Sequence, residues 1–429
     1  MDEGARAFLE QLFRTAVAAT HPGTCLRAFL PPAPPGRLIV LAAGKAAGSM
    51  TEVAETHYLQ SGLPKERLLG LAITRHGYGR PTHHLPVIEA GHPVPDQTGI
   101  DATEQTLALA DNANADDLVL VLLSGGASAN WIAPAPGLAL ADKQATTRAL
   151  LRSGATIAEA NTVRKHLSRI KGGRLAARAR PARVVTLAIS DVPRDDPDVI
   201  GSGPTVPDPS TLAAARSIVE RYGLDVPPSV TAALSNPVNE TPKPNDPIFR
   251  ATQFTIVARP ADAFRATREA ARRAGYDCVF LSDQVEGEAR EVAQEHARIA
   301  RELHAQGRRA VVLSGGELTV NLHKAGGQGG PNQEYALALA IALEGIHGVT
   351  ALAADTDGTD GGSGAANDPA GAFSDGTTAA RARALGLDPA SFLANNNSTK
   401  FFAPLGDLLM SGPTFTNVND FRAILVDTA

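Results

Sequence analysis

Several residue clusters in this chain could hold anions or move protons. Lys45 lies in AAGKAAGSM, directly after an apolar run and at the mouth of a helical stretch. A lysine there can place its ammonium over an anion that the helix N-terminus already favours. The plainer alternative is a solvated surface lysine. Ser124-Gly125-Gly126 and Ser314-Gly315-Gly316 offer backbone N–H groups in tight turns, a nest for phosphate or carboxylate. Either alone is equally a simple strand-to-helix turn, but two of them, with Glu317 beside the second, favour an anion or nucleotide site.

Acidic and basic residues follow the same pattern. Asn161–Leu175 reads NTVRKHLSRIKGGRL and predicts a helix with Arg164, Ser168 and Lys171 on one face, closed by Gly172-Gly173. Arg164 and Lys165 are the phosphate or carboxylate candidates, whereas Arg169 and Lys171 read as compensation of the helix dipole. Asp191 directly follows an apolar run in SDVPRDDPDVIGSGP, with Asp195, Asp196 and Asp198 in the loop beyond. Carboxylates of this kind suit Mg²⁺, which takes one or two of them plus substrate phosphates. Asp191 and Asp195 are the metal candidates, and Asp196 and Asp198 read as a solvated acidic loop. Asp355 and Asp357 share a face if the strand before them stays extended, giving two oxygen ligands or a base and a ligand. A glycine-rich surface turn explains that pair equally well. His83, His84 and His92 have no evident companion ligands and read as structural or surface residues.

The elements that must carry these residues are short apolar runs, each ending in a polar or glycine-rich turn. They are Gly36–Ala43, Asp117–Leu123, Arg183–Ile189, Gln253–Ala258, Asp277–Leu281, Ala310–Leu313 and Val349–Ala354. Runs of this length alternating with helices are what strands buried on both faces look like, so an α/β fold with largely parallel sheets is expected. In such sheets ligands sit beyond the carboxyl ends of strands, where the turns above lie. Val226–Asp246 is rich in proline and reads as a connection between domains. Gly4–Ala19 predicts a first helix with Phe8, Leu12, Phe13 and Ala16 on one face.

Composition narrows the class. Apolar residues make up 43% and charged residues 20% of 429 residues, ordinary globular usage that excludes a disordered chain. Forty Lys+Arg against 45 Asp+Glu gives a net charge of −5, which speaks against nucleic-acid or membrane-surface partners. Two distant cysteines, Cys25 and Cys278, form no disulfide framework. With no leader and no membrane-length apolar run, a cytoplasmic enzyme is expected. There is no G-x-x-x-x-G-K-[ST], no G-x-G-x-x-G after a strand, no G-x-S-x-G and no H-E-x-x-H.

Taken together, AAGKAAGSM, GHPVPDQTG, LLSGGASA, NTVRKHLSRIKGGRLA, ISDVPRDDPDVIGSGPT, LSGGELTV, GGQGGPNQEYALA, AADTDGTDG, GAFSDGTT and SGPTFTNVND resemble the glycerate 2-kinase family. Its members carry a C-terminal MOFRL domain and often bear the label hydroxypyruvate reductase. The resemblance implies ATP- and Mg²⁺-dependent phosphorylation of D-glycerate at its 2-hydroxyl, in a cleft between a Rossmann-like domain over residues 1–235 and a smaller α/β domain over 247–429. The final segment would pack back on the first domain. The resemblance makes Lys45 the phosphate-stabilising lysine and Asp191 a catalytic or metal-linked carboxylate. It places both SGG turns, Glu317 and the Asp355–Gly358 loop around the nucleotide, and Asn332 beside the substrate with Arg164 or Lys165. Two positions depart from the family. Pro331 stands where relatives often have Arg in GGRNQE, and Phe415 replaces a glycine of GPTGTNVND. The alternatives are an NAD(P)H-dependent hydroxypyruvate reductase and a non-catalytic sugar-acid or nucleotide binder. A homodimer is left open.

Overall fold

The computed structural model describes residues 1–322 and 327–427. The chain forms two compact units, Cys25–Val257 and Met1–Thr24 with Ala258–Ala429. Among the described residues no helix is long and apolar enough to cross a membrane.

In the first unit six strands, β1 (Leu38–Ala43), β2 (Leu68–Arg75), β3 (Val87–Ala90), β4 (Leu118–Leu123), β5 (Arg183–Ile189) and β6 (Thr252–Ala258), form a sheet of order β3-β2-β1-β4-β5-β6. The pairs β1–β2, β2–β3, β1–β4 and β4–β5 are all parallel, as the apolar runs predict. Every residue of β1 and β4 is buried, because helices cover both faces and leave no side for polar alternation. Register brings three strand ends level: Ala43 lies beside Leu123, and Leu123 beside Ala188. The turns carrying Lys45, Ser124 and Asp191 therefore leave the sheet at the same height. Strand spacing is about 4.8 Å, so β1 and β5 stand about 10 Å apart across β4.

The proline-rich Val226–Asp246 segment is a folded part of this unit and not a free link. Within it helix Pro228–Ser235 buries Val230, Ala233 and Leu234 in a cluster with Leu212, Ala215 and Ile218 of helix Leu212–Arg221. Proline at the first helical positions and an i, i+4 apolar pair are enough to order it.

The second unit holds β7 (Asp277–Ser282), β8 (Ala310–Gly316), β9 (Val349–Asp355), β10 (Gly371–Asp375), β11 (Leu408–Leu409) and β12 (Asp420–Val426) in the order β11-β10-β9-β12-β8-β7. Here the expected parallel arrangement gives way. Among the described strands of this sheet β7–β8 alone pairs parallel, and β12 runs antiparallel to both β9 and β8. An apolar run buried on both faces looks the same in either direction, so strand polarity is invisible in the run itself. The last strand forms the middle of this sheet, with all seven residues buried. Its run escaped the sequence reading because Arg422 interrupts it. The first helix, α1 (Glu3–Thr20), belongs to this unit too, burying Leu9, Leu12, Phe13 and Ala16. Phe13 meets Phe421 edge-on at 5.9 Å between ring centres.

Arg422 is 1% exposed and pairs with Asp420 at 2.9 Å, while its guanidinium also donates to the Gly315 carbonyl and to Ser314 Oγ. Asn332 donates to Asp420 at 2.7 Å and to Asp360 at 3.2 Å, joining two buried acids. Burial raises the Asp360 carboxyl to about 7 against the pull of the Gln333 and Asn332 N–H groups, with Asp420 adding to the rise. Burial raises Asp420 as well, opposed by Arg422. Arg422→Met is expected to cost about 3–5 kcal/mol in urea unfolding, because it strands Asp420 away from water. Adding Asp420→Asn should recover part of that loss; equal instability in both variants would refute the pairing.

Candidate functional site

The site begins with two turns of the first unit. β1 ends in Gly44-Lys45, and α2 (Ala47–Gln60) follows at once. The N-cap of α2 is Ala46, which has no side chain to offer, and no acid lies in the first turn. Its leading N–H groups and positive dipole end are thus left for other acceptors. One is supplied by the neighbouring turn: Ala46 N–H donates to Ser124 Oγ at 2.9 Å, and Lys45 N–H to the Gly125 carbonyl at 2.8 Å. Gly44 holds φ +117°, and a Cβ there would lie 2.4 Å from Ser124 O and Oγ, so only glycine permits the approach. Gly126, at φ +86°, brings the chain into the short helix Ala127–Asn130. A Cβ on Gly126 would lie 3.1 Å from the His92 ring and 3.3 Å from Lys45 Cγ. His92, to which the sequence gave only a structural role, thus stands at the site. Spacing could not reveal it, because its neighbours come from two other strand ends.

The third strand end carries Ser190 and Asp191. Ser190 is fully buried, and its hydroxyl has no hydrogen-bond partner among the described residues. In the loop beyond, Arg194 and Asp195 both adopt left-handed backbone, φ 65° and 57°, uncommon for residues with a Cβ.

The basic segment departs from its expected shape and still delivers its charges. Its helix, Ile157–His166, stops before Ser168, whose Oγ accepts from the N–H groups of Ile170 and Lys171. Gly172 and Gly173 then turn left-handed, and Gly173 caps the next helix instead of ending this one. Side-chain-to-backbone bonds from Ser168 compete with helix continuation. Even so, Arg164 and Lys171 converge on Ser128, which lies just after the SGG turn. Lys171 Nζ donates to Ser128 O and Oγ, both at 2.7 Å, and Arg164 reaches the same Oγ at 3.4 Å. Lys171 is therefore no dipole compensator, and Ser128 joins the site, its signal being the LLSGGASA motif. Lys165 faces elsewhere and binds Asp198 at 3.1 Å and Asp208 at 3.4 Å, so Asp198 is an ion-pair partner and not a solvated loop acid.

The remaining candidates lie in the second unit. Ser314, Gly315 and Gly316 form no turn: they are the last residues of β8, paired with Arg422, Phe421 and Asp420 of β12. A Cβ on Gly315 would sit 2.4 Å from the Phe264 ring, so packing explains that glycine. Glu317 is exposed. The Asp357 N–H donates to Asp355 Oδ1 at 2.9 Å, and Thr359 N–H to Asp357 Oδ1 at 2.7 Å, two successive Asx turns. Asn332 is buried in the Asp360–Asp420 network described above. Pro331 opens helix Pro331–Ala342, where proline fits and an arginine's N–H would have no intrahelical partner.

A third cation completes the cluster. Lys143 is 7% exposed and donates to the Leu167 carbonyl at 2.8 Å. Burial, with Arg164 nearby, pushes its ammonium down to about 7. Burial, then Arg164 and Lys143, push Lys171 well below the ordinary lysine range. The sign for stability follows directly. Below pH 7 both folded and unfolded chains carry the Lys143 charge; above it the folded chain sheds the proton while the unfolded chain keeps it up to about 10.5. The unfolded state then binds more protons, so stability from this group rises with pH. Wild type should gain about 1–2 kcal/mol over Lys143→Met between about pH 7 and about pH 9. A flat difference in urea unfolding across that range would contradict it.

Comparison with known proteins extends this geometry. The model of a domain of unknown function, DUF4147, matches residues 8–235, and the MOFRL family model matches residues 310–420. A protein of Agrobacterium vitis with the provisional name hydroxypyruvate reductase is 45% identical, covering 99% of this chain and 95% of its own. D-glycerate 2-kinase of Thermotoga maritima is 39% identical, with 97% of each chain covered. The crystal structure of glycerate kinase from the same organism superposes with a TM-score of 0.85 at 38% identity, covering 99% of this chain and all of that one. Such likeness runs through both units from one end to the other, and with it this chain belongs to the glycerate kinase family.

Proposed function

We propose that this chain transfers a phosphoryl group from ATP to the 2-hydroxyl of D-glycerate, giving 2-phosphoglycerate. The observation that carries this reading is the hydrogen-bonded pair of turns after β1 and β4, which sets Lys45 and an uncapped α2 N-terminus beside the cations around Ser128. A phosphoryl group in flight spreads charge over its equatorial oxygens, and fixed N–H groups with a lysine stabilise it there. Lys45 neutralises that charge, and the SGG turn at Ser124–Gly126 cradles phosphate. Asp191 accepts the proton of the attacking 2-hydroxyl. Arg164 holds the glycerate carboxylate; Lys165, already paired with two aspartates, is the weaker choice.

Mg²⁺ suits the donors offered. Asp191 and Asp195 supply hard carboxylate oxygens four residues apart, and Mg²⁺ asks for only one or two of them beside phosphate. When bound it screens charge on the phosphates. Glu317, Asp355 and Asp357 are further candidates for nucleotide contact.

Lys45→Ala should lower kcat by about 10²–10³-fold and Asp191→Asn by about 10²–10⁴-fold, both with unchanged circular dichroism. Phosphorus NMR of D-glycerate, ATP and Mg²⁺ should reveal 2-phosphoglycerate, with no NADH loss in a parallel hydroxypyruvate reaction. NADH consumption without phosphoryl transfer would replace the kinase by a reductase. Full turnover in either variant would remove that residue from the mechanism.

A further inference from the structure

A cavity of about 280 Å³ opens beside Ser128, within the first unit. Its wall includes Lys143, Arg148, Arg164 and Lys171, together with apolar groups such as Ile132 and Leu140. Among the described residues no aspartate or glutamate lines it. The contrast with neighbouring cations is sharp. Lys165 has Asp198 and Asp208, and Arg169 has Glu104. The cations at the cavity instead donate to neutral oxygens: Lys143 to the Leu167 carbonyl, Lys171 to Ser128 O and Oγ, Arg164 to Ser128 Oγ and to Asn161 Oδ1. Buried cations without a carboxylate partner are costly, and a protein keeps them together where an anion will arrive. Burial, with the neighbouring cations adding to it, holds Lys143 and Lys171 below their ordinary range, and an incoming negative charge opposes both effects.

The cavity also adjoins the phosphoryl-transfer residues. Pro93 lines it, next in sequence to His92, whose ring lies against Gly126. Ser128 lies two residues after Gly126 and bonds Ser202 Oγ at 2.8 Å, fixing the hydroxyl on which the cations converge. The ligand has an anionic head for these cations and a short organic body for the apolar wall.

We propose that this cavity seats the carboxylate of the 2-hydroxy acid acceptor, with Lys171 and Arg164 as its anchors and Lys143 as a cation that sets specificity for an acid over a neutral polyol. This rests on the kinase reading above. Charge-assisted bonds from two sides hold the carboxylate, and the acid's 2-hydroxyl, one bond away, is left toward the SGG turn. A neutral triol lacks the head group and leaves the cations unmatched.

The test uses the full chain, with D-glycerate, D-lactate and glycerol as probes. Calorimetry without ATP should show both acids binding and glycerol not. Lys143→Met should raise the Kd and KM for D-glycerate at least about tenfold, with KM for ATP unchanged. Lys143→Arg should restore most of that loss, which a merely structural lysine would not require. If wild type phosphorylates D-glycerate and Lys143→Met leaves its KM within twofold, the cavity is not the carboxylate seat, although the kinase stands. If the acids bind and Lys143→Met weakens them without any phosphoryl transfer in wild type, the seat stands and the kinase reading falls.

Discussion

Two turns at the ends of neighbouring strands bind each other before they bind anything else. Lys45 N–H on Gly125 O and Ala46 N–H on Ser124 Oγ join β1's exit to β4's exit, and a glycine at 44 allows the close approach. The joint fixes Lys45 relative to the SGG turn without involving its side chain. It also fixes the short helix carrying Ser128, and through Ser128 the positions of Lys171 and Arg164. A cationic surface of this kind needs a rigid mount, because like charges left mobile would swing apart into water.

Buried charge is handled in two different ways. The second unit closes its acids internally: Asp360 and Asp420 share Asn332, and Arg422 pairs with Asp420 two residues before it at the start of the same strand. Those residues supply most of one another's partners and act on stability. The first unit leaves Lys143, Arg164 and Lys171 facing a cavity with no acid in its wall. That imbalance is a feature of a site, since a structural core would have supplied the counter-charge.

Glycine carries different duties in the two SGG segments. At Ser124–Gly126 it permits a left-handed turn and a close backbone contact. At Ser314–Gly316 it makes room for the Phe264 ring and the Val285 backbone at the end of a strand, with Gly316 at φ +96°. Identical triplets thus read as one motif although their surroundings assign them to different work.

The sequence by itself determined where the strands of the first sheet lie, the strand-end turns and the family likeness, because apolar runs and glycine turns encode local geometry directly. Lys45, Ser124 and Asp191 could be singled out as candidates for that reason, each following a recognisable break in pattern, and Arg164 by its place on a helix face. Only the tertiary structure decided that Arg164 and Lys171 meet at Ser128 although the helix ends between them, that Lys143 joins them, that Lys165 is paired with aspartates, and that His92 stands by Gly126. Apart from Arg164 and Lys171, which a helical period already set on one face, those pairings link residues far apart in the chain, and no local period records them. The polarity of β12 was hidden for the same physical reason. A strand buried on both faces presents the same apolar run whichever way it points, and only its neighbours' hydrogen bonds choose.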